Sequence, residues 1–202
     1  MMKTLLVTGP TGSPITLEEI KAHLRIERGE TRDDDMLKNY RSAAVEMVEN
    51  ITNRKLMPQT WKMYLDDWPD SYSIELPYAP LQSVNSTDGI LYTDSTGNTT
   101  TFNLTGSTSS WGADTVSEPG RIVLDNNEDW PTDILHQNNP IEIKFACGYS
   151  ASSDIPRSIK NAMLMMIGHW YEQREDSIVG QPLTMVPMAS MALLAPYRVY
   201  SF

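Results

Sequence analysis

The sequence predicts an α+β chain: an antiparallel helical bundle core interrupted by a small antiparallel β insertion domain. Three observations predict it. Apolar residues recur at three- and four-residue steps over 16–55 and again over 156–175, the period of a helix with one buried face. Between them, short runs of strand-forming residues alternate with turn signals every roughly 8–12 residues, as in small all-β domains. The two helical stretches also share the apolar periodicity needed to pack on each other. Helices are expected at about 16–27, 33–55, 156–175 and 189–194. The implied organisation is an arm and first core segment over 1–58, a β-rich insertion over 59–150, and a second core segment with a docking tail over 151–202.

Residues 3–7 read as a short extended arm ending in Gly9-Pro-Thr-Gly-Ser-Pro14. That run lacks the Gly-Lys-Ser/Thr ending of a phosphate loop, and its prolines remove backbone donors, so it reads as a rigid linker. Thr16-Leu-Glu-Glu19 is a capping box that opens a helix buried along Leu17, Ile20 and Leu24, with Gly29 expected to end it. Asp33, Asp34 and Asp35 place three carboxylates at the start of the next helix, where the helix dipole favours them. A metal site there would need a second carboxylate cluster at ligand spacing, and none follows. Leu37, Tyr40, Ala44, Met47, Val48 and Ile51 form the apolar face, which fades at Asn53-Arg-Lys55 before Pro58.

Strands are expected at 60–65, 73–76, 81–84, 121–124 and 141–146, with a hairpin of 90–93 and 99–104 across Asp94-Ser-Thr-Gly97. Pro156 suits the first turn of the third long helix, whose face is Ile159, Met163, Ile167 and Trp170. After a Gly- and Pro-containing connection and a short helix, the chain runs out as an extended aromatic tail.

Composition narrows the function. A formal charge of −10 opposes binding of nucleic acid through a basic footprint, and does not exclude a protein that lets DNA slide past without sticking. Cys147 is the single cysteine, so neither an intrachain disulfide nor a thiolate metal cluster can form. The apolar run Leu5-Leu-Val7 is too short for a signal segment or a membrane span, which points to a chain kept in a reducing compartment. His23, His136 and His169 are not spaced as a metal-binding pair, and no nucleophile or dinucleotide motif occurs. The expectation is no enzyme, no cofactor and no metal. Two alternatives are weighed against that. Trp61, Trp68, Trp111 and Trp130 in the middle of the chain suit a carbohydrate- or receptor-binding face on the β insertion, though such residues more often pack. An enzyme would need a pocket joining His169 to Glu172 and Glu175.

Several stretches, taken in order, carry a resemblance. Ile15-Thr-Leu-Glu-Glu-Ile-Lys-Ala-His-Leu-Arg25, Asp33–Asp35 and Thr52-Asn-Arg54 lie in the first third. Gln59-Thr-Trp61, Leu76-Pro-x-x-Pro-Leu-Gln-Ser-Val84 and Phe145-Ala-Cys-Gly-Tyr149 lie in the middle. Ile155-Pro-x-x-Ile-Lys-Asn-Ala162, Gly168-His-Trp-Tyr-Glu-Gln-Arg174 and Leu194-Ala-Pro-Tyr-Arg198 complete the set. The set resembles the head–tail connector (head completion, adaptor) family of tailed bacteriophages and prophages, in its members with a β-rich insertion. The resemblance implies a structural virion protein that assembles as a ring, typically of twelve subunits, under the portal after DNA packaging. A monomer in solution is compatible with it. The implied partners are the portal protein, a tail-completion or stopper protein, and further copies of the chain, with DNA passing unbound and no membrane involved. The implied location is the head–tail interface of the virion, after assembly in the host cytoplasm. On this reading Leu194, Pro196, Tyr197, Arg198, Tyr200 and Phe202 form a portal-docking tail, and Asp33, Asp34 and Asp35 are candidates to face the channel.

Overall fold

A computed structural model describes residues 3–85, 89–102, 110–173 and 188–200. The chain divides into two compact units: a β unit of 1–11, 57–150 and 200–202, and a helical unit of 12–56 and 151–199.

The β unit is organised by one strand. The sequence Ile141-Glu-Ile-Lys-Phe-Ala-Cys147 alternates strictly, and the strand it forms, β9 (Ile141–Cys147), buries every odd position and leaves the even ones partly exposed. β2 (Gln59–Leu65) pairs antiparallel with β9 along its full length, from Gln59 opposite Cys147 to Leu65 opposite Ile141. On its other edge β9 pairs with β4 (Leu81–Val84) and β5 (Ile90–Thr93). β1 (Lys3–Thr8) adds to β2 and β6 (Thr99–Thr101) adds to β5, giving six strands. A second, three-stranded sheet runs in the order β3 (Ser73–Glu75), β8 (Arg121–Leu124), β7 (Trp111–Asp114). Met63, Trp111, Ile122, Ile143 and Phe145 join both sheets in one apolar cluster. On the opposite face of the large sheet Lys62 sits directly across from Lys144. The bond of Lys62 to Glu142 at 2.6 Å offsets that like-charge pairing. Gly148 follows β9 at φ 108°, where a Cβ would run into the Met57 carbonyl, so the chain can turn there only as glycine.

In the helical unit, α1 (Leu17–His23) opens on the anticipated capping box. Thr16 Oγ1 accepts from the Glu19 amide at 3.1 Å, and the Glu19 carboxylate accepts from the Thr16 amide at 2.6 Å. That second bond holds the Glu19 carboxyl below its ordinary pKa. α2 (Asp34–Thr52) buries Leu37, Ala44, Val48 and Thr52. α3 (Arg157–Glu172) buries Ile159, Ala162, Met163, Met166 and Ile167. The two helices pack together with the Tyr40 and Trp170 rings 6.1 Å apart, and α4 (Met188–Leu194) packs on α3. Lys21, only 5% exposed, contacts the Asp34 carboxylate and donates to the Glu30 carbonyl at 2.6 Å, tying the α1–α2 loop down.

The expected fold class is overturned. Nine strands in two antiparallel sheets stand beside four α-helices among the described residues, so the β part is no small insertion in a helical bundle core. The reason lies in signal strength. A 19-residue helix repeats its apolar period five times, whereas a three-residue strand shows hardly one alternation. β7 was not anticipated, because Trp-Gly-Ala-Asp carries one large apolar residue and a turn-forming one. Residues 3–8, expected as a short extended arm, pair antiparallel with β2 as a strand of the large sheet. α1 stops at His23 and α2 at Thr52, short of 27 and 55, because Arg25 (φ 58°) and Asn53 (φ 53°) adopt the left-handed conformation. In α1 that lets the Ile26 amide bond back to Lys21. The hairpin of β5 and β6 forms with Thr93 opposite Thr99.

Truncating the centre of β9, Ile143→Ala, removes a fully buried side chain and is expected to cost about 2–5 kcal/mol in urea unfolding. Acid sensitivity is expected from two loop carboxylates of the β unit. Asp94 accepts from the Thr96 hydroxyl at 2.6 Å and from the Thr96 and Asn98 amides, which lowers its pKa to about 2. The Ser117 hydroxyl, with neighbouring amides and Arg121, holds Asp114 well below the carboxylate range. Depressed folded values mean stability that is complete above the unfolded pKa, about 3.9, and is lost as pH falls through the folded values. Thermal melts should therefore shift downward between about pH 4 and pH 2. An Asp94→Asn/Asp114→Asn variant should melt lower at neutral pH and lose less over that interval.

Candidate functional site

The residues expected to act through their surface fall at the two ends of α2. At its C-terminal end, Thr52, Asn53 and Arg54 grip the chain's last described segment. The Val199 amide donates to the Thr52 carbonyl at 2.9 Å, Asn53 Nδ2 donates to the Val199 carbonyl at 2.9 Å, and Arg54 Nε donates to the Tyr197 carbonyl at 2.6 Å. The left-handed turn at Asn53 is what aims these groups back at the tail. Glu49, one turn earlier, accepts from Lys55 Nζ and the Leu56 amide at 3.0 and 2.9 Å, so the exit from α2 is itself fixed.

Of the expected docking tail, Leu194 is fully buried and Tyr197 half-buried, while Pro196, Arg198 and Tyr200 are exposed. Phe202 lies outside the described residues. The segment from 194 to 199 is thus folded onto the helical unit. In the sequence this grip is signalled only by a turn-former followed by an arginine, and that arginine is almost wholly buried.

At the other end of α2, the three aspartates have different surroundings. Asp33 accepts from the Tyr171 hydroxyl at 2.7 Å, and Asp34 is bridged to buried Lys21. Asp35 is the exposed member and bridges Lys38 at 2.8 Å, a hydrogen bond that lowers its pKa. Of the expected core residues, Leu37, Ala44, Val48, Ile159, Met163 and Ile167 are buried, and Tyr40, Met47, Ile51 and Trp170 are partly so.

Four tryptophans bear on the carbohydrate reading. Trp111 is in the core, and Trp61 packs on Tyr78 at 4.6 Å. Trp68 and Trp130 stack on each other at 5.1 Å and 9°, with Phe102 against both. They are spent on packing, not set out as a concave face. A groove between β2, β4 and β9, lined by Thr60, Ser83, Asn85 and Lys144, has about 230 Å³, less than the roughly 300–1,000 Å³ typical of ligand pockets. Among the described residues no three His, Cys, Asp or Glu side chains are grouped to hold a metal, and Cys147 is buried. His136 Nδ1 accepts from the Asn138 amide at 3.3 Å, and His23 lies against Gly168. Glu175 lies outside the described residues. Among the described residues no helix is long and apolar enough to cross a membrane.

The family model of phage gp6-like head-tail connector proteins matches residues 14–110. Over that span the chain is similar to phage head-tail connector proteins. Connector proteins of this family are structural virion proteins and not enzymes. The fold is similar to solved chains over nearly its whole length. One comes from the neck of an empty GTA particle computed with C6 symmetry, with TM-score 0.77, 23% identity, and 99% of this chain covering 97% of that one. A second is from the virion of a native gene transfer agent (GTA) particle, with TM-score 0.75, 22% identity, and coverage of 98% and 96%. A third is from the neck of a native GTA particle computed with C12 symmetry, with TM-score 0.73, 21% identity, and coverage of 99% and 97%. At these identities the likeness is one of fold. No curated protein matches the chain.

Removing the arginine that grips the tail, Arg54→Ala, should cost about 1–3 kcal/mol by leaving the Tyr197 carbonyl without its charged donor. Hydrogen exchange read by mass spectrometry should rise at 197–199 and stay unchanged in β9.

Proposed function

We propose that the chain is an adaptor subunit that assembles as a ring between the portal and the tail-completion or stopper protein, with DNA passing through the ring unbound. The observation that carries this reading is the connector-family match, and the likeness to chains from particle necks with sixfold and twelvefold symmetry supports it. Ring closure needs two different, mutually complementary surfaces on each subunit. The exposed tail residues Pro196, Arg198 and Tyr200 are the proposed portal contact, presented on the base that Leu194 and the Arg54 grip provide. Charge supports an open conduit. The β unit carries 13 acidic against four basic residues, while the helical unit has 13 against 12. A surface of that sign repels phosphate instead of holding it. Asp35, the exposed aspartate of its triplet, is the proposed channel-facing member. The division at 1–58, 59–150 and 151–202 is retained as a proposed division of labour, with docking assigned to the last segment.

Deleting the chain during particle production should leave DNA-filled or leaking heads without tails in negative-stain electron microscopy. Supplying the wild-type chain should restore tailed particles, and an Arg198→Glu/Tyr200→Ala variant should restore few. Normal yields of tailed particles without the chain would sink the adaptor reading.

A further inference from the structure

β1 is an anomaly of the β unit. All six of its side chains are exposed, including Leu5 (54%), Leu6 (44%) and Val7 (45%) in succession. A strand with that composition adds almost nothing to the unit's own core. It pairs with β2 on one side, and among the described residues no strand pairs with its other side. At the far end of the same sheet β6, among the described residues, likewise pairs on one side only, and Thr99 and Thr100 are exposed. Free edges expose a row of N–H and C=O groups and are normally guarded by charge, bulges or cover. Here the guards are sparse: Lys3 is the single charge on β1, with one register shift between Leu6 and Thr8, and β6 carries no charge.

Charge decides which occupant suits these edges. The acids of the β unit gather in loops, with Asp66, Asp67 and Asp70 after β2 and Asp125, Glu128, Asp129 and Asp133 after β8. Two copies meeting through those loops would set carboxylate against carboxylate. β1 and β6 are acid-free and lie at opposite ends of one sheet, so contact between them is both free of that repulsion and head-to-tail. A head-to-tail contact propagates around a ring, whereas two β1 edges would stop at a dimer.

We propose that the free edge of β1 pairs with the free edge of β6 on a second copy of this chain, continuing the sheet from subunit to subunit. Edge pairing of this kind takes its affinity from main-chain hydrogen bonds, and Leu5, Leu6 and Val7 then lose their exposure. One strand edge is well short of the about 1,200–2,000 Å² of a stable interface. Each subunit, however, gains two such contacts, one through each edge. The proposal rests on the ring reading above and adds to it the strands that make the joint.

The test uses engineered cysteines in the full chain, which is clean because Cys147 is buried. Cysteine is placed at Leu5 or Leu6 together with Thr99 or Thr100, covering both faces of the joint, and each variant is produced in place of the wild-type chain during particle assembly. Oxidised particles should give a ladder of covalent multimers from at least one double variant and none from the single variants. A dimer from a single β1 variant would mean β1–β1 pairing and would overturn the proposal. So would particles that contain the chain yet yield no ladder from any pair, with the adaptor reading left standing. Particles lacking the chain altogether would overturn both. Independently, Leu5→Glu/Leu6→Glu should leave the melting temperature of the isolated chain unchanged and abolish its incorporation into particles. Normal incorporation would count against the joint.

Discussion

The β unit depends on the pairing of β9 with neighbours on both of its edges. This strand satisfies its backbone groups against β2 on one side and against β4 and β5 on the other, and its buried positions Ile141, Ile143, Phe145 and Cys147 anchor the cluster shared by both sheets. A one-residue slip would turn Glu142 and Lys144 into that cluster and expose the apolar set, so the register is strongly specified. Gly148 enforces the end of the strand, since only a residue without a side chain fits under the Met57 carbonyl. The short strands β4, β5 and β6, weak on their own, inherit their positions from it.

The helical unit obeys a different constraint. Its apolar contact between α2 and α3 supplies the burial, while polar pins fix what the helix ends hold. At one end, Asp33 and Asp34 tie α2 to Tyr171 of α3 and to buried Lys21 of α1. At the other, Thr52, Asn53 and Arg54 secure residues 197–199. Residues that look on paper like a surface signature are therefore in large part architectural. The acidic residues at the helix start and the polar triplet at its end serve first to bind neighbouring segments of the same unit, and of these contacts the Val199 amide on the Thr52 carbonyl closes a helix-end group.

What remains for function is surface. The tryptophans are consumed by packing and the groove beside β9 is small. The features left over are an exposed stretch of tail on a fixed base, a charge excess confined to one unit, and a sheet whose two end strands pair on one side only among the described residues. Those features suit an assembly part, which must present directional contacts, and they agree with the match of residues 14–110 to phage head-tail connector proteins.

The sequence by itself determined the long helices, the capping box at Thr16, the hairpin around Asp94-Ser-Thr-Gly97 and the absence of a catalytic motif. Each is local: a helix period, a reciprocal cap or a tight turn is written within a few neighbouring residues. It also carried the family resemblance, because ordered short motifs survive in one dimension. It misjudged the balance between helix and sheet, since three-residue strands such as β3 and β6 have no periodicity of their own and exist only because β8 and β5 lie beside them. Only the tertiary structure decided that residues 3–8 are a sheet edge, that Lys21 and Arg54 are buried, and that Asp33 and Asp34 are engaged while Asp35 is exposed. Those outcomes depend on partners 13 to 143 positions away, and the energy of a buried charge or a strand edge is set by what surrounds it in space.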